Sequence, residues 1–245
     1  MSMNRLLAFG IATLLTCLAS LAADSGAKLK VLLITGGHGF QKEPFLQVFR
    51  DNPGITFIHV AHSRGTSDAY DRAELTDCDV VVLYDMVQNI TDAQKKNFLA
   101  LLQRGAGLVV THHAIVSYQG WPEFERIVGG TYPEDQTKKG QVTAQLGYEH
   151  DVAVPVVIVA TNHPVTAGLK DFLIHDEIYW GYRTRPDVTP LITTTQPKSG
   201  KPLAWCREEG RSRVVYLQLG HDSSAYTNAN YRQLLAQSIR WTGRR

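Results

Sequence analysis

Cysteine is scarce in this chain of 245 residues, which contains only Cys17, Cys78 and Cys206. A framework of several disulfides needs more cysteines than this, and so does a zinc site with four thiolate ligands. If Cys17 is lost with the N-terminal segment, Cys78 and Cys206 can form at most one bridge. Neither is placed as a nucleophile, because Cys78 precedes a predicted strand and Cys206 lies inside a predicted hairpin, whereas such a thiol needs a histidine beside it.

Neither sign of charge dominates, since 25 Lys and Arg against 23 Asp and Glu leave a formal net charge of +2 with neutral histidines. The basic residues are scattered apart from short pairs such as Lys138-Lys139, so we expect no nucleic-acid partner. The motif H-E-x-x-H is absent, and the glycine turn at 36–39 matches neither G-x-G-x-x-G nor a P-loop. With no repeat or low-complexity linker, one domain is expected over residues 29–245.

Residues 1–22 have the composition of a secretory signal peptide. Arg5 is the only charged residue before Asp24, and an uncharged apolar stretch runs from Leu6 to Leu21. A retained membrane anchor is one alternative, but the stretch is short for a span and polar residues interrupt it. Lipid attachment at Cys17 is a second alternative. We expect the segment to be removed on export, which leaves a periplasmic or secreted protein without a stable membrane span.

Apolar runs alternate with helical patterns through the first half of the chain. Strands are predicted at 28–35, 55–60, 79–85 and 107–111, and helices at 43–50, 68–75 and 91–103, the last with Thr91 as its N-cap. Strands that alternate with helices at this spacing predict a mainly parallel sheet with right-handed crossovers. The expected fold is α/β, flavodoxin-like and doubly wound, with helices on both faces of the sheet.

The second half of the chain predicts further strands and a closing helix. A short helix is expected at 121–128, a hairpin from 203–207 and 213–219, and a last helix at 231–241. Pro155 interrupts an apolar stretch, which favours an edge strand or a bulge there. The polar loop at 132–140 is expected to border the functional site, because loops on a rigid scaffold commonly carry ligand contacts.

Histidines follow three of the predicted strands at the point where each one ends. These are His38, the adjacent pair His112 and His113, and His221, which has Asp222 beside it. Ligands of open α/β sheets collect outside the carboxyl ends of the strands, so these positions are candidates for function. Side chains of neighbouring residues on a strand point to opposite faces, so His112 and His113 share a pocket only if the chain turns between them. We therefore expect at most one of that pair to contact a ligand directly.

Two kinds of chemistry fit these side chains. Imidazoles with a carboxylate can hold a divalent metal, for which His38, His113 and His221 are the expected ligands, but no short ligand spacing supports this alternative. The other is metal-free acid/base catalysis by His113 or His221, with Glu177 or Asp222 orienting the imidazole. We favour the second and predict His113, His221, Glu177 and Asp222 as catalytic residues, with no certain cofactor.

Aromatic residues cluster near these strand ends, and flat aromatic faces can pack against the apolar faces of sugar rings while their O–H or N–H groups reach hydroxyls. The predicted substrate-binding residues are His38, His112, Trp121 and Tyr179, and Trp121 is the preferred platform for a sugar ring. The alternative is that tryptophans pack in the core, and this is the interpretation we favour for Trp205 and Trp241.

The chain resembles the ThuA-like, or trehalose-utilisation, family from about Lys30 to Trp241. The residues that carry the resemblance are Gly36-Gly37-His38-Gly39-Phe40, Gly107 to Ala114, Trp121, Gly129-Gly130, 163–169, 176–179, 202–205 and Gly220-His221-Asp222. The resemblance implies a fold similar to the class I glutamine amidotransferase superfamily. The nucleophilic cysteine of that superfamily is replaced here, so glutamine hydrolysis is not expected.

The same resemblance implies that the chain acts on a small carbohydrate, a disaccharide or an oxidised keto-sugar glycoside. We expect a lyase, isomerase or hydrolase that uses histidine and carboxylate acid/base chemistry. The alternatives are a non-catalytic carbohydrate-binding protein and a metal-dependent hydrolase with a His/Asp/Glu site. All three require residues 38, 113, 177 and 221, which are distant in sequence, to meet at one cavity rim.

Overall fold

The structure is a computed structural model that describes residues 27–133 and 142–244. The expected signal peptide at 1–22 and most of the loop at 132–140 lie outside the described residues. Within those two ranges, no helix has the length and apolar character that crossing a membrane requires.

A mixed sheet of nine strands forms the centre of the described chain, in the order β2-β1-β3-β4-β11-β10-β9-β6-β7. Its strands, in chain order, are β1 (Leu29–Gly36), β2 (Ile55–Ala61), β3 (Val80–Asp85), β4 (Gly107–Thr111), β6 (Gly147–Ile158), β7 (Phe172–Trp180), β9 (Thr189–Thr194), β10 (Ala204–Glu209) and β11 (Ser212–Leu217). The short strands β5 (Gly130–Thr131) and β8 (Arg183–Thr184) pair separately.

Half of the sheet is parallel and half is antiparallel. Strands β2, β1, β3, β4 and β11 run parallel to their neighbours. Strands β10, β9, β6 and β7 each pair antiparallel with the strand before them in the sheet. The α/β class is therefore confirmed, but the sheet is mixed where we expected a mainly parallel one. The difference arises from the hairpin β10–β11, which reverses the direction of pairing.

Helices pack on both faces of the sheet. They are α1 (Lys42–Arg50), α2 (Asp92–Arg104), α3 (Pro122–Val128), α4 (Ser223–Tyr226) and α5 (Ala229–Thr242). Leu33 of β1 belongs to a cluster with α1 and α5, whereas its neighbours Leu32 and Ile34 belong to a cluster with α2 and α3. Because successive strand residues face opposite sides, the uninterrupted apolar runs of the sequence are explained by burial on both faces.

Local sequence signals set several boundaries. Thr91 caps α2 as expected, accepting from the backbone N–H of Gln94 while the Gln94 side chain accepts from the Thr91 N–H. The predicted helix at 68–75 is instead two short 3₁₀ helices, Asp68–Asp71 and Ala73–Thr76. Cys78 and Cys206 are both buried free thiols.

The expectation that Pro155 lies in an edge strand is wrong. Strand β6 lies between β9 and β7, and the ladder to β9 begins only at Val156, which pairs with the last residue of β9, Thr194. The Pro155 carbonyl accepts from the Thr194 hydroxyl at 2.7 Å, so the backbone N and C=O of Pro155 point toward the end of β9 and not toward β7. The missing N–H of Pro155 therefore costs no ladder hydrogen bond. The strand does contain a bulge, between Glu149 and Val152.

Candidate functional site

A strained turn at the end of β4 brings two adjacent histidines to one pocket. His112 has a φ of 54°, in the left-handed region that non-glycine residues seldom adopt, and the 3₁₀ helix His112–Val116 begins there. The ring centroids of His112 and His113 are 5.1 Å apart, and both side chains are buried. The chain therefore turns between His112 and His113, and both imidazoles belong to one cluster of side chains.

Glu177 of β7 is at the centre of that cluster. Its Oε2 lies 3.0 Å from Nε2 of His112 and 3.3 Å from Nδ1 of His221, while its Oε1 lies 3.0 Å from Nδ1 of His150. Tyr179, on the same face of β7, places its hydroxyl 3.0 Å from Nε2 of His112. Strand β7 is four places from β11 in the sheet, so the antiparallel half must curl over the carboxyl ends of the parallel strands.

A backbone hydrogen bond on the side away from Glu177 fixes the orientation of the His112 ring. Its Nδ1 lies 2.8 Å from the backbone carbonyl oxygen of Gln218. A carbonyl oxygen can only accept, so Nδ1 carries a proton and donates. The other nitrogen, Nε2, faces Glu177 and lies 3.2 Å from Nδ1 of His221.

Asp176, beside Glu177 in sequence, holds the backbone of the site. This fully buried carboxylate accepts from the N–H groups of Gly220 at 2.7 Å, His221 at 3.0 Å and Glu177 at 2.8 Å. Burial raises its pKa, although these three hydrogen bonds and the proximity of His112 oppose the shift. The loop that carries His221 is thus tied to β7 independently of the imidazole contacts. Asp176 was not among the predicted site residues.

His113 and His38 form the second part of the site. The His113 ring lies between those of Tyr84 and His38, with centroid distances of 4.4 and 4.5 Å. Neither ring nitrogen of His113 has a hydrogen-bond partner among the described residues, and burial lowers its pKa well below the usual value. His38 is more exposed and donates from Nδ1 to the Gly39 carbonyl at 2.7 Å, while partial burial lowers its pKa.

Glu177, which contacts both His112 and His221, determines the charges in the part of the cluster away from His38 and His113. Burial raises the pKa of Glu177, but hydrogen bonds from His112 and His221 outweigh it, so the pKa lies well below the usual range and the group is ionised. The hydrogen bond to Glu177 in turn raises the pKa of His221 against the effect of its burial. His221 is partly exposed at the rim, with about a quarter of its side chain accessible.

A family model described as ThuA, trehalose utilisation, matches residues 30–242. The chain belongs to the ThuA family. Two solved ThuA-like proteins share its fold, each at 21% identity. The protein from Parabacteroides merdae has a TM-score of 0.76, and the match covers 89% of this chain and 90% of that one. The protein from Bacteroides uniformis has a TM-score of 0.64, and the match covers 87% of this chain and 91% of that one. A β-galactosidase from a Rahnella species is similar in fold at 15% identity, with a TM-score of 0.58 over 87% of this chain and 31% of that one. No curated protein matches this chain.

One group of potential metal ligands is present among the described residues of this ThuA family member. Donor atoms of His112, Glu177 and His221 all lie within 4.8 Å of one another. Of the three imidazoles expected at a metal, only His221 belongs to this group. His38 and His113 lie beside it, next to His112.

His150 also belongs to the site, although it was not among the predicted site residues. The bulge in β6 places His150 and Asp151 opposite the single residue Glu177 of β7, and Asp151 takes a φ of 54°. A bulge re-aims the side chains beside it, and here it directs His150 at Glu177. Asp151 was the only sequence feature that could have indicated this bulge, because aspartate adopts the left-handed region more readily than most residues.

Two predicted site residues have other structural roles, although Asp222 is next to His221 and its charge helps to raise the pKa of that imidazole. Asp222 is the N-cap of α4, where its Oδ1 accepts from the Ser224 N–H at 2.8 Å. Trp121 is 91% buried and packs against Phe98 and Phe124, with ring centroids 5.6 and 6.2 Å away. Its faces are therefore covered by core aromatics, and neither residue has a place in the site proposed below.

A cleft of about 580 Å³ opens beside His38 at the ends of the first parallel strands. Its lining combines glycine backbone with polar side chains: Gly37, His38, His62, Arg64, Gln88 and Asn89. A space of this size, next to the histidine that covers His113, can hold a small polar molecule.

Proposed function

We propose that this ThuA family member is an exported enzyme that acts on a small carbohydrate, a disaccharide or a keto-sugar glycoside. The description of the family as trehalose utilisation supports the substrate class. The composition of residues 1–22 supports export to the periplasm or outside the cell, with residues 29–245 as the functional domain. The order of the parallel strands, β2-β1-β3-β4-β11, supports a flavodoxin-like core that the antiparallel strands extend.

The observation that carries an enzymatic function is the position of Glu177 between His112 and His221, beside the unpartnered imidazole of His113. A carboxylate that orients imidazoles at a strand end is the arrangement that proton transfer requires. We assign the proton-accepting role to His113, because neither of its ring nitrogens has a hydrogen-bond partner within residues 27–133 and 142–244. His38 lines the cleft and its ring packs on that of His113, so we place the sugar against His38, next to His113.

The cleft also supports a carbohydrate substrate. It combines an exposed guanidinium, Arg64, with amide groups of Gln88 and Asn89, and these are donors and acceptors for sugar hydroxyls. Tyr179 contributes indirectly, because its buried hydroxyl is used on His112. We therefore assign substrate binding to His38, which lines the cleft.

The test is a screen of disaccharides and their keto derivatives with the mature protein, followed by Glu177→Gln. Glutamine keeps the shape of the side chain but cannot supply a charged acceptor, so we expect turnover to fall by about 10²-fold to 10⁴-fold. Glu149→Gln is the matched control, because Glu149 is on the neighbouring strand and forms a surface ion pair with Lys198. Unchanged turnover in Glu177→Gln would overturn the proposed mechanism. Binding of sugars without any turnover would favour a carbohydrate-binding protein, and no binding at all would remove the carbohydrate proposal.

A further inference from the structure

Three donor atoms of the cluster are spaced as the ligands of one small metal ion would be. The distances are 3.0 Å from His112 Nε2 to Glu177 Oε2, 3.2 Å from His112 Nε2 to His221 Nδ1, and 3.3 Å from His221 Nδ1 to Glu177 Oε2. Zinc bonds to nitrogen and oxygen are about 2.0–2.2 Å, which separates neighbouring ligand atoms by about 2.8–3.6 Å for octahedral to tetrahedral angles. A single ion about 2.1 Å from each atom would lie about 1 Å out of their plane and leave one side open.

The direction of the His112 ring gives a second observation. Its Nδ1 donates to the Gln218 carbonyl at 2.8 Å, so Nε2 is the nitrogen that faces Glu177 and His221. A metal ion placed there would be bound by atoms of His112, Glu177 and His221 at once, whereas a proton joins only one pair of these atoms.

The surroundings have the features of a built metal site. A histidine ligand that donates its other N–H to a backbone carbonyl is the usual second-shell arrangement at metals, and His112 has it. His150 binds Oε1 of Glu177 and leaves Oε2 for the ion. Asp176 fixes the backbone of both Glu177 and His221. The buried nitrogens of His113, which lack partners among the described residues, lie beside the group.

We propose that His112, Glu177 and His221 bind one divalent transition-metal ion with at least one open coordination position. Two imidazoles and one carboxylate suit Zn²⁺ and also fit Fe²⁺, Co²⁺ or Ni²⁺. An open position on the ion would let it polarise a carbonyl or hydroxyl oxygen of a bound substrate. The identity of that substrate rests on the proposed function, whereas the metal site does not.

The experiment is a titration of the mature protein with Zn²⁺ and Co²⁺ after chelator treatment, by calorimetry and by the visible absorption of bound Co²⁺. We expect one tight ion per chain. Glu177→Gln and His221→Asn should each weaken binding by at least tenfold, since even second-shell changes cost about 10-fold to 100-fold. His175→Asn is the matched control, because His175 is on β7 two residues before Glu177 but is exposed and faces Asp151 at 3.8 Å. Circular dichroism of each variant tests whether the fold is retained.

Binding that is absent, or that Glu177→Gln and His221→Asn leave as tight as His175→Asn does, would overturn the metal site. Turnover of a sugar by a protein that binds no metal and ignores chelators would overturn it while leaving the proposed function intact. Tight metal binding in a protein that neither binds nor converts any sugar would support the site and count against the function. The two proposals can therefore fail separately.

Discussion

Nδ1 of His150 lies 3.0 Å from Oε1 of Glu177, and a β-bulge brings the two together. In a regular antiparallel ladder one residue of β6 would oppose Glu177, but here two do, and the extra residue redirects His150. The second oxygen of Glu177 is occupied by His112 and His221. Both oxygens of this carboxylate therefore have imidazole partners, which hold it in one orientation.

Replacing His150 with alanine should lower turnover without affecting the fold. His150 is more than half exposed, so its removal leaves no cavity, but Glu177 loses the hydrogen bond at Oε1. One exposed hydrogen bond to a charged group is worth about 1 kcal/mol, which corresponds to a loss of about fivefold in kcat/KM. The measurement is kcat/KM alongside thermal unfolding, with His175→Ala as the control. Equal kinetics in the two variants would show that His150 has no part in the site.

Asp176→Asn should destabilise the protein and displace His221. The amide has only one accepting oxygen, so its NH₂ group would face a backbone N–H that the carboxylate now accepts from, and one buried donor would be left without a partner. This costs about 1–3 kcal/mol. Denaturant unfolding measures the loss, and Asp171→Asn is the control, because Asp171 accepts a single bond from the exposed Ile158 N–H. The expectation is wrong if both variants unfold at the same denaturant concentration.

Gly37→Ala should displace His38 from the site. Gly37 has a φ of 78°, and a Cβ there would lie 2.1 Å from the Met86 carbonyl oxygen. The left-handed conformation alone costs a non-glycine residue about 1–2 kcal/mol, and the clash adds to it. Gly39→Ala is a close control, because Gly39 is two residues away with no atom within 4 Å of its would-be Cβ. We expect weaker sugar binding and lower stability only in Gly37→Ala, and equal behaviour of the two would contradict the role given to this turn.

Cys206 should resist alkylation in the native protein. Burial raises the pKa of its thiol to about 11, so roughly one molecule in a thousand carries the reactive thiolate at pH 8. The labelling rate with iodoacetamide should rise about tenfold per pH unit below that pKa and should reach the rate of a free thiol on unfolding. Mass spectrometry of the labelled chain measures both. Fast labelling of the native protein at pH 8 would contradict the expected burial, and a disulfide to Cys78 would contradict the free thiols of the structure.

Much of the fold followed from local sequence patterns. The apolar run at 80–85 predicts a strand because both of its faces are covered, and Thr91 predicts the start of α2 because its capping box is local. The histidines His38, His112 and His221 were found because parallel strands end at one edge of a sheet. The position of β6 was missed, because the effect of Pro155 depends on where β9 ends, and β9 is far away in sequence.

The sequence by itself determined which residue types reach the carboxyl edge of the parallel strands, because strand ends and glycine turns are encoded within a few residues. Only the tertiary structure decided that Glu177, at the far edge of the sheet, binds His112 and His221, and that His150 joins them. It also decided that Asp222 caps a helix and that Trp121 packs in the core. The physical reason is that these contacts depend on the curl of the antiparallel strands and on a one-residue bulge in β6, and neither is set by periodicity along the chain.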